Sequence, residues 1–185
     1  MIVPEVFRDQ PVLVGESVRL EPLTAAVLED YLAIVRDAEV RRLTGSHGPV
    51  DSREHIETWL ATRPGNHDRA DWAAIRISDG AVLGEAVIND LDPDNASANY
   101  RILLGSPYHG QGYGTEITRL VVEYALEVAG LHRLGLGVFD FNARARHVYE
   151  KCGFVLEGRL RDALHWDGDW HDELVMSVLR TDPRP

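Results

Sequence analysis

Apolar residues recur along this chain with two different spacings, and each change of spacing marks an element. Alternation around Val18 and Leu20 predicts a strand over residues 17–23. Thr24 then caps a helix that runs to Arg36, with Val27, Leu28, Tyr31, Leu32 and Val35 at helical spacing. A short helix over 38–43, a loop over 45–49 and a third helix carrying Ile56, Trp59 and Leu60 complete a helical run, the third starting at a capping box of Asp51 and Glu54. From Asp71 the spacing becomes alternating: strands over 71–78 and 81–90 form a hairpin about Asp79 and Gly80. A turn over 92–95 leads to a strand over 98–104 with Ala98, Tyr100, Ile102 and Leu104 on one face and Asn99, Arg101 and Leu103 on the other. A helix over 113–129 buries Ile117, Leu120, Val121, Tyr124 and Val128. A strand around Leu134, Leu136 and Val138, a helix over 142–151 and a last hairpin over 154–165 and 170–179, turning at Asp167 and Gly168, close the chain. The order predicts an α/β (α+β) fold, a mixed, mostly antiparallel sheet flanked by helices, in a single domain over 1–185 whose residues 1–15 form a loosely ordered arm.

Between the strand ending at Leu104 and the next helix stands GSPYHGQGYGT, in which Gly110, Gly112 and Gly114 alternate. Glycine lets successive backbone N–H groups point into one concavity, and the helix that follows aims its free N–H groups at the same spot. The stretch therefore reads as a cradle for a pyrophosphate. A dinucleotide fingerprint would need glycine at Thr115, and a nucleoside-triphosphate loop would need lysine at Gln111, so both are set aside. A turn that only connects two elements would not require three glycines before a strong helix.

Charge and cysteine content narrow the rest. Lys+Arg 19 against Asp+Glu 30 leaves a formal charge of -11, which speaks against a nucleic-acid surface and suits cationic small molecules or basic peptide ends, or solubility alone. The single cysteine, Cys152, excludes an internal disulfide and reads as a small packing residue, and no Cys/His spacing suits a metal. The beginning of the chain lacks signal-peptide character and no apolar run is long enough to span a bilayer, so the expected setting is cytoplasmic, without membrane contact.

A second motif, Asn142, Ala145, Tyr149, Glu150, Lys151, Gly153 and Phe154, stands in NARARHVYEKCGF. With His109, Gly112 and Gly114 in the places of a Gln/Arg-x-x-Gly-x-Gly/Ala signature, the chain resembles the GNAT superfamily of N-acyltransferases, closest in pattern to its RimJ/RimL-type branch. His109 departs from that signature, although a histidine can also donate to a phosphate. The resemblance implies a sheet splayed after the fourth strand, with acetyl-CoA as acyl donor in the gap. Its contacts would be Ile102, Leu103 and Leu104 on the strand, His109, Gly110, Gln111, Gly112, Tyr113, Gly114 and Thr115 in the turn, and Asn142 and Tyr149 on the following helix.

The chemistry so implied is attack of a neutral amine on a thioester. A backbone N–H near Leu103 would hold the developing oxyanion. Tyr149 matches the position from which a phenol protonates the leaving thiolate, the alternative being a tyrosine packed on a helix face with its hydroxyl satisfied. Asn142 would bind the pantetheine amide or cap its helix. Many relatives of the branch carry a glutamate near the start of the fourth strand where this chain has Asn99, so the base falls to Glu85, within an otherwise apolar strand, with water relayed through Asp90 or His165 as alternatives. In the last hairpin, Trp166, Trp170 and Asp162 suit an ammonium-bearing acceptor, or else a solvated turn with tryptophans packed on the core. The expected activity is acetyl transfer to a primary amine, a protein N-terminus or a small cationic amine. An acyl-CoA-binding sensor is the alternative. A homodimer is compatible with the branch, but no stretch specifies an interface.

Overall fold

The computed structural model describes residues 7–8, 10–49 and 52–183. Eight strands form one sheet in the order β1-β2-β3-β4-β5-β6-β8-β7: β1 (Leu13–Val14), β2 (Val18–Pro22), β3 (Ala70–Arg76), β4 (Val82–Asp92), β5 (Ser97–Leu104), β6 (Arg133–Phe139), β7 (Val155–Trp166) and β8 (Asp169–Leu179). All neighbours are antiparallel except β5 and β6. That parallel pairing is short: Ser97, Ala98 and Asn99 lie opposite Arg133, Leu134 and Gly135, after which both strands continue unpaired with each other. The sheet is therefore splayed, and the expected mixed, mostly antiparallel architecture is present.

Helices cover both faces. On one lie α1 (Leu28–Arg36), α2 (Ala38–Leu43) and α3 (Arg53–Ala61), on the other α4 (Tyr113–Glu123) and α5 (Ala143–Lys151). Period-two alternation divides β3 between two cores: Trp72 and Ala74 join Tyr100, Ile117 and Leu134 on the α4/α5 side, while Ala73 and Ile75 join Tyr31, Leu32 and Leu60 under α1–α3. The caps are local. Thr24 Oγ1 accepts from Ala26 N at 3.3 Å, and Asp37 Oδ1 accepts from Glu39 N at 2.8 Å and Val40 N at 3.2 Å. Asp51, expected to cap α3, lies outside the described residues; Ser52 Oγ accepts from His55 N at 3.2 Å.

Two expectations are corrected. The arm over 1–15 is not loose where it is described: Phe7 is fully buried, Leu13 and Val14 pair with Leu20 and Arg19, and Pro11 O accepts from Trp72 Nε1 at 2.9 Å. Residues 1–6 and 9 of that arm lie outside the described residues. Val128, placed on the buried stripe of the long helix, is 65% exposed. After Glu123 the helix widens into a π-turn over Tyr124–Val128, with Ala129 N donating to Tyr124 O, so the stripe shifts and Ala125 and Leu126 face inward beside Tyr124 in place of Val128.

In β4, Gly84 is fixed by its neighbour strand. A Cβ there would lie 1.9 Å from the Leu103 carbonyl oxygen, beside the register shift against β3. Gly84→Ala forces the β4–β5 ladder apart, and urea unfolding is expected to show a loss of roughly 3 kcal/mol or outright failure to fold.

Candidate active site

The splay leaves one edge of β5 without a strand. Glu85 lies opposite Leu103, and Gly105 N donates to Leu83 O, so odd-numbered N–H groups at this end of β5 face β4 and even-numbered ones face the gap. The N–H of Leu103 itself is thus turned into the sheet, so a backbone oxyanion donor near Leu103 would come from an even-numbered neighbour. The neighbours Ile102 and Leu104 present their main-chain groups to the gap, where an extended ligand can pair with those of Ile102 and with the Leu104 N–H as a strand would, the Leu104 carbonyl already accepting from His109.

The glycine turn closes the end of this gap. Gly110 and Gly112 take φ +74° and +90°, and a Cβ at either would meet nothing within 4 Å. Packing does not demand glycine there, whereas the left-handed backbone does, and the space around both stays open to an incoming group. Gly112 is the N-cap residue of α4, with no side-chain cap on the helix end, and Tyr113, Gly114 and Thr115 form the first turn. Gln111 turns back onto the loop, Nε2 donating to Pro107 O at 2.7 Å.

His109 is held by protein partners at both ring nitrogens. Nε2 lies 3.0 Å from Leu104 O, to which it donates, and Nδ1 accepts from Arg144 Nη2 at 2.8 Å, so both ring nitrogens are engaged. The same Arg144 nitrogen is 3.1 Å from Glu39 Oε1. The residue that departs from the family signature thus ties the turn to α2 and α5. Arg144 escaped the sequence reading, although a cation in the first turn of a helix opposes the helix dipole and signals a specific partner. Asn142 Oδ1 accepts from Ala145 N at 3.2 Å and so caps α5.

The Tyr149 ring is buried against Tyr100 and Phe154, at centroid distances of 6.4 and 5.8 Å. Its hydroxyl makes no hydrogen bond among the described residues, and burial pushes its pKa well above the usual phenol value. Tyr100 differs: its hydroxyl shares a 3.0 Å hydrogen bond with Thr118. Cys152, buried and with its thiol pushed up to about 11 by burial, is a packing residue, as expected.

Glu85 sits on the opposite face, 2% exposed under α1. Tyr31 OH donates to its Oε2 at 3.1 Å, and Arg101 Nη2 is 3.7 Å from Oε1. Burial raises its pKa, partly countered by Arg101 and by the Tyr31 hydrogen bond. Asn99 donates to Asn89 Oδ1 at 3.2 Å and is no base. The carboxylate reaches outward through Tyr31, whose ring lines a cleft of about 360 Å³ together with Val35, Arg41, His47, Ile56 and Trp59. The loop after α2 brings this cleft against the far arm of the sheet: a Cβ at Gly45 would lie 2.8 Å from the Phe139 ring, and His47 packs on Trp166 at 5.0 Å.

Trp166 thus borders the cleft, whereas Trp170 and Asp162 do not line it. Trp170 is 62% exposed and leans on His165, and Asp162 N donates to Asp172 Oδ1 in the bulged part of the hairpin. Tyr31, Arg41 and Trp59 were missed as site residues because they come together only when α1, α2 and α3 pack.

A family model described as "Acetyltransferase (GNAT) domain" matches residues 17–155, and the chain belongs to that family. It is 26% identical over 114 residues to spermidine N(1)-acetyltransferase of Escherichia coli (strain K12), covering 62% of this chain and 61% of that protein. It is also 26% identical over 82 residues to the [ribosomal protein uS5]-alanine N-acetyltransferase of the same strain, covering 44% and 42%. The chain therefore matches about three fifths of the first relative's length and less of the second's. The fold is that of spermidine N-acetyltransferase from Vibrio cholerae in complex with CoA and spermine, at TM-score 0.83, 20% identity and 91% and 98% coverage. No helix of the described residues is long and apolar enough to cross a membrane.

His109→Ala removes both ties of the turn. Titration calorimetry is expected to show affinity for acetyl-CoA lowered about tenfold, the equivalent of about 1.4 kcal/mol, with secondary structure unchanged by circular dichroism.

Proposed function

We propose that this protein is an N-acetyltransferase that moves the acetyl group of acetyl-CoA to a primary amine by direct attack in a ternary complex. The observation that carries the reading is Tyr149: its ring is held by the core while its hydroxyl has no hydrogen-bond partner among the described residues. Family membership and the open edge of β5 support it. Pantetheine pairs with the gap-facing groups of Ile102 and with the Leu104 N–H, and the pyrophosphate rests on the N–H groups at Gly110, Gly112 and the start of α4. The amine nitrogen attacks the thioester carbon, and the C–S bond breaks as the tetrahedral intermediate collapses. Tyr149, whose raised pKa keeps it protonated, gives its proton to the leaving sulfur.

Glu85 takes the amine's proton by way of Tyr31: the phenol passes its proton to the carboxylate and receives one from the amine. The raised pKa of Glu85 makes it a stronger base than an ordinary carboxylate, provided it is ionised. Similarity to a ribosomal-protein acetyltransferase supports placement in the RimJ/RimL-like branch. The enclosure of Glu85 favours a second reading, an acyl-CoA sensor with little turnover.

Tyr149→Phe separates the two. Free CoA thiol release is expected to fall roughly 100-fold while acetyl-CoA still binds, and a wild-type protein that binds but never releases thiol would make the sensor reading the right one. In the wild type, kcat/KM is expected to climb with pH as Glu85 ionises, with a midpoint above the usual carboxylate range; Glu85→Gln abolishes that limb.

Stability supplies an independent check on the same group. A raised folded-state pKa contributes stability that is complete below the unfolded value and is lost as pH rises through the folded value. Relative to wild type, Glu85→Gln is therefore expected to gain Tm as pH increases from 5 to 8, and a constant difference would show that Glu85 does not titrate in this range.

A further inference from the structure

The cleft over Tyr31 has a charge character opposite to that of the whole chain. No Asp or Glu among the described residues lines it, although the formal charge is -11. Arg41 does line it, with Nη2 donating to Gly48 O and no carboxylate partner among the described residues. Among the nearby arginines, Arg53 is engaged by Glu29, Arg144 by Glu39 and Arg76 by Asp79, while Arg42 lies over the Phe141 ring and Arg63 over the Trp59 ring. Beside Arg41 the rings of Tyr31 and Trp59 stack at 5.7 Å and 24°, giving the cleft an aromatic side.

We propose that the acceptor is an amine that also carries a carboxylate on a flat apolar body, an aromatic amino acid or a close analogue. Its carboxylate docks on the fork of Arg41 and its ring lies along Tyr31 and Trp59, leaving the amino group toward the Tyr31 hydroxyl. A guanidinium without an acid partner offers paired donors that match a carboxylate. A polyamine would meet that cation, and apart from Glu85 behind the Tyr31 hydroxyl no acid among the described residues lines the cleft to hold its ammonium groups. This inference rests on the transferase reading and names the substrate class of the same site.

The test compares phenylalanine with phenethylamine, which share ring and amine and differ by the carboxylate, with spermidine as a third acceptor. Thiol release is expected to give a kcat/KM for phenylalanine at least about tenfold above that for phenethylamine, with spermidine lowest. R41Q is expected to bring the phenylalanine-to-phenethylamine ratio close to one, and R41K to retain part of it. A wild-type preference for phenethylamine or spermidine overturns the proposal whether or not the variants fold, as does a ratio unchanged in R41Q. Binding of acetyl-CoA without turnover of phenylalanine overturns it and leaves the transferase reading standing. Failure to bind acetyl-CoA at all overturns both.

Discussion

Three residues of parallel pairing, Ser97, Ala98 and Asn99 on Arg133, Leu134 and Gly135, hold the two arms of the sheet together, and beyond them β5 and β6 diverge. Backbone amides that leave a ladder need another partner or water. The edge of β5 is thus a preformed template for an extended ligand, and the turn at its end supplies the anion site for the other end of such a ligand. Closure of the gap is prevented by what fills its ends: α4 and α5 pack behind it, and the loop after α2 lies on Phe139 in front.

The turn could not keep this geometry alone, since its glycines have little intrinsic order. Glu39, Arg144 and His109 link α2, α5 and the turn, and His109 passes the connection on to the Leu104 carbonyl. Glu39 and Arg144 are about half exposed and His109 is mostly covered, and both nitrogens of His109 are satisfied within the chain. The residue at which the chain departs from the signature is a brace for the turn.

Much of this was legible from spacing. The alternation of β5 divided Tyr100, Ile102 and Leu104 from Leu103 correctly, because a pleated strand between two cores leaves its pattern in the sequence. The glycine turn was legible for the same kind of reason, a local backbone requirement. Val128 was misplaced because a five-residue π-turn breaks the 3.6 period without any proline or glycine to announce it. The β1 pairing escaped because two residues carry no period. Most opaque was the cleft: Tyr31, Arg41 and Trp59 belong to three helices, and neither their meeting nor the lack of an acid beside Arg41 among the described residues has a local signal.

Net charge says little about any one cleft for a related reason. The acids of the last hairpin suggested a site for cations, yet Asp172 is engaged by Arg159 and by the Asp162 backbone, and the exposed carboxylates around it face water. Charges on such surfaces are screened over about 8–10 Å at ordinary ionic strength, while a guanidinium at contact distance in a half-enclosed cleft is screened far less. The potential felt by a small acceptor is therefore set by the one or two groups it touches. A protein can carry a large negative charge for its solubility and still offer a local cation where its substrate binds, and Arg41, on a cleft with no lining acid among the described residues, has that character.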